Sequence, residues 1–228
     1  MGARVLDLLT GAAAGSWPPA DGEVEVVGSP AGPVDAVVAF SAHAIVAADV
    51  AEEWVRGHLA SGADLTGPMR PDFVARLGEQ LGTRPGSLDV TLAAAGSGDG
   101  PGRQGLRPLS AEASDHPRVA RARLYRTEIE AFEDAEGRGL VIIGRGLARR
   151  WEVAVELMDP WLGHAGSGRA LFRAARSLVP EGEYLFAAVA PGNGRALRTA
   201  LAAGFAPLGG EVLFLKEGNG GAAEPAPT

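Results

Sequence analysis

Residues 151–179 read WEVAVELMDPWLGHAGSGRALFRAARSLV, and three patterns follow one another within them. Trp151–Met158 alternates strictly. Trp151, Val153, Val155 and Leu157 share one face and Glu152, Ala154, Glu156 and Met158 the other, the period of a β-strand. A turn follows in which Gly163, Gly166 and Gly168 free the backbone. From Ser167 to Leu178 the period is helical: Leu171, Ala174, Ala175 and Leu178 fall at i, i+3, i+4 and i+7, with Arg169, Arg173 and Arg176 on the opposite side. A strand that feeds a helix through a glycine turn is the unit of an α/β arrangement.

Working outward, Tyr184–Ala190 reads as a strand, Arg195–Ala203 as a helix and Glu211–Leu215 as a last strand. Upstream, Gly139–Gly144 reads as a short buried strand and Val119–Phe132 as a half-exposed one. In the first half, Val34–Ala48 predicts one long or two short strands, Ala51–Leu59 and Pro71–Leu81 predict helices, and Leu88–Ala94 another strand. Gly96–Pro117 is rich in Gly, Pro and Ser without an apolar period, which predicts a linker or long loop. The chain thus divides into an N-terminal αβ region (1–95), a linker (96–117), a core (118–217) and a tail (218–228) expected to be disordered.

Composition excludes several chemistries. The 228 residues include no cysteine, so disulfides, thiolate zinc sites and a thiol nucleophile are ruled out. His43, His58, His116 and His164 lack ligand spacing, and no metal site is expected. No apolar run approaches the roughly 18–20 residues of a membrane helix, and the N-terminal apolar stretch carries Asp7 and no basic region, unlike a signal peptide. A soluble cytoplasmic protein is the expectation. The net charge of −7 and interleaved arginines do not suit nucleic acid. With 33 glycines, a bare Gly-x-Gly carries little information.

Two places have a chemical reading. Unpaired amides at a helix N-terminus, with the helix dipole, seat a phosphate or pyrophosphate, and the turn Gly163–Gly168 leads into such a terminus; a plain tight turn fits the same residues. Asn193, in APGNGRALRTALAAGF (190–205), is placed to cap the next helix.

Strand, Pro160, glycine turn, helix, strand, Asn-capped helix ending in Gly204-Phe205, strand: this order resembles the GNAT N-acetyltransferase superfamily. Met158, Pro160, Gly166 and Gly168 match its acyl-CoA loop, and Asn193 to Gly204-Phe205 matches its second signature. The resemblance covers about Val119–Lys216. It implies an α/β (α+β) fold, with a mixed, mostly antiparallel central sheet flanked by helices and here an N-terminal αβ extension. Helices 51–81 would serve as the family's first two.

The function implied is acetyl transfer from acetyl-CoA to a primary amine. The pyrophosphate would sit on Gly163, His164, Ala165, Gly166, Ser167, Gly168 and Arg169. The Met158 N–H would polarise the acetyl carbonyl, and Asn193 would contact pantetheine. Glu152 and Glu156, on one strand face ahead of the turn, are the candidate bases. Without cysteine, transfer is direct. Two positions depart from the pattern: Gly163 replaces the loop's opening Arg or Gln, and Ala200 replaces the usual Tyr that protonates the leaving thiolate. A non-catalytic CoA-binding or regulatory relative, or a partner-recruiting scaffold, is therefore the alternative. Trp54, Trp151 and Trp161 are candidates for lining an acceptor pocket. The acceptor is a small-molecule or peptide amine, cationic if the acidic first half faces the site; a homodimer is left open, and neither nucleic acid nor membrane is expected as a partner.

Overall fold

Short runs of β-branched and small apolar residues pair along most of the chain. The structure, a computed structural model, describes residues 3–59, 66–109, 115–158 and 166–216. The elements are α1 (Ala3–Ala13), β1 (Val24–Val27), β2 (Val34–Phe40), β3 (His43–Ala47), α2 (Glu52–His58), α3 (Pro71–Gln80), β4 (Pro85–Ala95), β5 (Leu106–Pro108) and α4 (Pro117–Tyr125). They continue with β6 (Thr127–Asp134), β7 (Gly139–Arg145), β8 (Trp151–Leu157), α5 (Ser167–Arg176), β9 (Tyr184–Val189), α6 (Gly194–Ala202) and β10 (Ala206–Leu215).

The described strands form one sheet in the order β1-β3-β2-β10-β4-β9-β8-β7-β6-β5. Its pairs are antiparallel except β1–β3 and β8–β9. A mixed, mostly antiparallel α+β arrangement is therefore the observed class. The two sides of the 96–117 segment share this sheet, because β10 lies between β2 and β4, and β4 lies between β10 and β9.

Alternation along the strands divides the core between two faces. On one, α5 and α6 cover Leu92, Val141, Val153 and Leu185, with Phe172 and Phe205 edge to face at 5.3 Å. The same face carries Val37, Val46, Val212 and Phe214 under Val55, Phe73 and Leu77 of α2 and α3. On the other face, α1 buries Val5, Leu8, Leu9 and Ala12 against Val38, Ile45, Ala93 and Phe186. There α4 sets Val119 and Ala122 on Leu140 and Ile142.

Two expectations change. Val119–Phe132 is not one strand: α4 ends at Tyr125 and β6 begins at Thr127. Pro117 suits a first turn, the His116 Nδ1 accepts the Arg118 N–H at 3.2 Å as a cap, and Val119 and Ala122 face the sheet at helical i, i+3 spacing. The 96–117 segment is also not featureless, since Leu106–Pro108 forms β5 at the sheet edge, paired with β6 through Phe132–Asp134. Its Leu106 reaches the α5 core, which the glycine-rich surroundings concealed. The expectation for 218–228 lies outside the described residues.

Candidate active site

The parallel strands β8 and β9 are the origin of the site. Their pairing consists of Trp151 with Leu185 and Glu152 with Phe186. Yet β8 stays paired with β7 as far as Leu157, opposite Gly139, and β9 stays paired with β4 to Val189, opposite Val90. Beyond Glu152 the two strands therefore part and leave an opening in the sheet. In an antiparallel pair successive residues turn their N–H groups alternately toward and away from the partner. The Met158 N–H is bonded to the Arg138 carbonyl at 2.9 Å, so the N–H groups of Val155 and Leu157 face the opening. The Met158 amide, expected to meet the acetyl carbonyl, is here engaged by the Arg138 carbonyl, and the Met158 side chain is exposed.

At this end of β8, α5 begins. Gly166 is its N-cap, with φ +79° and no side-chain cap, a conformation that suits glycine. The Ala170 N–H bonds the Gly166 carbonyl at 3.0 Å. The amides of Ser167, Gly168 and Arg169 precede that first helical bond, and a helix's first amides have no intrahelical partner. A Cβ on Gly166 would stand 3.6 Å from Arg169 Nη2, so the Arg169 guanidinium folds back over the helix N-terminus. Gly168 has a different task. A Cβ there would lie 3.1 Å from the Thr199 methyl and 3.9 Å from Leu157 Cδ1, so its smallness lets α5, α6 and β8 meet. Asn193 caps α6 by accepting the Ala196 N–H at 3.1 Å. Gly163, His164 and Ala165 lie outside the described residues, as does Trp161. Trp54 stacks on His58 at 4.1 Å, and Trp151 donates its Nε1–H to Glu183 at 2.8 Å while Arg145 lies over its ring.

The two candidate bases differ in environment. Glu152 is buried at the apex of the opening. Its Oε1 accepts from Arg150 Nε at 2.8 Å and from the Leu147 N–H at 3.1 Å, and its Oε2 accepts from Arg126 Nε at 3.0 Å. Burial pushes this carboxyl up, but the charges and hydrogen bonds of Arg150 and Arg126 more than reverse that, so it sits below the usual range. A carboxylate so paired is a poor proton acceptor. Arg150 continues to Glu211, Nη2 to Oε1 at 2.6 Å, and Thr91 donates to Glu211 Oε2 at 2.6 Å. Burial lowers the Arg150 affinity for its proton, and Glu211 and Glu152 more than restore it.

Arg150, Arg126, Glu211 and Thr91 carried no motif in the sequence. The one signal available was Glu211, an acid leading an apolar strand. The β7–β8 connection that completes this network is strained, with Ala148 and Arg149 at φ +51° and +63°, conformations costing about 1–3 kcal/mol each.

Glu156 is half-exposed on the same strand face, with its Oε2 3.9 Å from Arg118 Nε of α4. Ala200 is fully buried in the α5–α6 core. Tyr125 and Tyr184 pack on the α1 side of the sheet.

Among the described residues no three His, Asp or Glu side chains are grouped to hold a metal, and no helix is long and apolar enough to cross a membrane. No family model and no curated protein matches the chain. One similar solved structure is a functionally unknown conserved protein from Staphylococcus epidermidis ATCC 12228. It is 13% identical, the match covers 65% of this chain and 68% of that one, and the TM-score is 0.38, too low to carry an argument.

Proposed function

We propose that this protein is an acyl-CoA-dependent N-acyltransferase that moves an acetyl group from acetyl-CoA directly to a primary amine. The observation that carries the reading is the parting of β8 and β9 after Glu152 and Phe186, immediately ahead of the glycine turn into α5. A thioester lying in that opening meets the outward N–H groups of Val155 and Leu157, which stabilise the carbonyl oxygen as charge develops on it. The uncapped start of α5, with Arg169 folded over it, suits the pyrophosphate. Glu156 takes the proton from the amine, the new C–N bond forms, the C–S bond breaks, and the thiolate leaves to be protonated by solvent, a tolerable leaving group at a thiol pKa near 8–9.

The alternative is a CoA-binding protein without turnover, and the buried Ala200 favours it, because that part of α6 supplies no acid to the departing sulfur. Thermal unfolding with acetyl-CoA tests both readings. Ligand at 100 times its Kd stabilises by about 2.7 kcal/mol, a rise in Tm of roughly 5–10 °C for a chain of this size. The absence of any rise removes both. Free-thiol release with an amine panel then separates them, and the cysteine-free protein adds no background.

A further inference from the structure

The charge beside the opening is set by α4. Four acids of the first half stand away from the opening: Asp21, Glu23, Glu25 and Glu52 gather with His43, Arg4 and Arg56 around a cavity of about 410 Å³ beside β1. In the strand order β1 stands six places from β8, roughly 29 Å at about 4.8 Å per strand, several screening lengths away. Beside the opening, α4 (PRVARARLY) bears Arg118, Arg121 and Arg123 and no acid, and Arg126 follows as its C-cap. Arg118 stands 3.9 Å from Glu156 and Arg126 3.0 Å from Glu152.

From this cluster, and resting on the acyltransfer reading above, we propose that the acceptor is an amine bearing a carboxylate near its nitrogen, an α-amino acid or short homologue, whose carboxylate is read by Arg118 and Arg126.

Three observations carry it. The Arg126 Nη1 is buried without a hydrogen-bond partner among the described residues, and a buried guanidinium N–H is matched best by a carboxylate oxygen. Arg118, although its side chain is 42 % exposed, holds its proton less tightly than an ordinary arginine: partial loss of solvation is the first cause, Glu156 opposes it, and neighbouring Arg126 and Arg121 add to it. The guanidiniums therefore crowd one another, and an incoming anion relieves that repulsion. Finally, 3.9 Å between the Glu156 oxygen and the Arg118 nitrogen is a spacing that one molecule spans with its amine at the base and its carboxylate, a few bonds away, at the guanidinium.

The test uses the full chain with acetyl-CoA and a panel of α-amino acids and 4-aminobutyrate, each beside its own primary amide, which keeps the amine and removes the charge. Thiol release, corrected for the free-amine fraction, is expected to give at least one acid a kcat/KM about tenfold above its amide. Arg118→Gln and Arg126→Gln should each shrink that acid-to-amide ratio, chiefly through a raised KM for the acid, and Arg118→Lys should restore part of it. Amides matching or beating their acids, no acid accepted, or a ratio indifferent to both Gln variants overturns the proposal. Acetyl-CoA stabilisation measured in the same samples distinguishes the failures. If it persists, only the acceptor inference falls; if it is absent, the acyltransfer reading falls and this one with it.

Discussion

Arg150 Nη2 and Glu211 Oε1 lie 2.6 Å apart, both side chains without exposed surface. The bond ties the start of β8 to β10 over the two strands between them, and the guanidinium crosses the Phe186 ring of β9 at 5.1 Å on the way. This places a charged strut at the apex where β8 and β9 part. It also explains how the strained Ala148 and Arg149 backbone persists, since the turn must present both the Leu147 N–H and Arg150 to Glu152.

Breaking one partner of a buried ion pair leaves the other charge uncompensated, at a cost of about 3–5 kcal/mol. Glu211→Gln should therefore lower Tm by roughly 6–20 °C, at about 2–4 °C per kcal/mol for this size. Differential scanning calorimetry checks it; an unchanged Tm means the strut is not in place.

The Glu152 carboxyl lies below its ordinary value of 4.5 in the folded protein. A depressed carboxylate contributes stability that is fully present above its unfolded pKa and lost as pH falls through the folded one. Urea midpoints of the parent should thus drop below about pH 4.5, and the drop should be shallower in Glu152→Gln, which starts lower. Parallel curves for the two proteins would contradict the assignment.

A Cβ on Gly146 would fall 2.2 Å from Glu152 Cδ, whereas one on Gly57 of α2 meets nothing within 4 Å. Gly146→Ala should destabilise by several kcal/mol, of the order of other disrupted buried networks. Gly57→Ala should stabilise by about 0.5–1 kcal/mol through helix propensity. Opposite signs in one denaturation series are the expected result.

Glu156→Gln should reduce turnover by about 10²–10⁴, the range of a lost general base, while acetyl-CoA raises Tm as much as in the parent. Gly166→Glu should do the converse, losing the acetyl-CoA response while its unliganded Tm falls by only roughly 2–8 °C from the positive φ at that position. Steady-state rates and thermal titrations of the two variants separate the roles; a Glu156→Gln variant as fast as the parent removes Glu156 as the base.

Local periodicity made β7, β8, α5, β9 and α6 legible, since alternation at Trp151–Leu157 and i, i+3, i+4 spacing at Leu171–Leu178 are properties of the chain itself. It misjudged 119–132 because Val119, Ala122 and their arginine neighbours fit either period, and packing of Val119 and Ala122 on Leu140 and Ile142 chose the helix. The edge strand β5 escaped notice because three residues carry no period.

What the sequence by itself determined is the succession of strand, glycine turn and helix, and with it a place where unpaired amides can meet an anion. Only the tertiary structure decided how that place is furnished. It brought Arg126 to Glu152, and Glu211 with Thr91 to the neighbouring Arg150, so that both oxygens of Glu152 are already engaged. It turned the Met158 amide to Arg138, and it set the arginines of α4, rather than the acids of the first half, beside Glu156. Each depends on contacts between residues distant in sequence, and a buried charge takes its meaning from its partners.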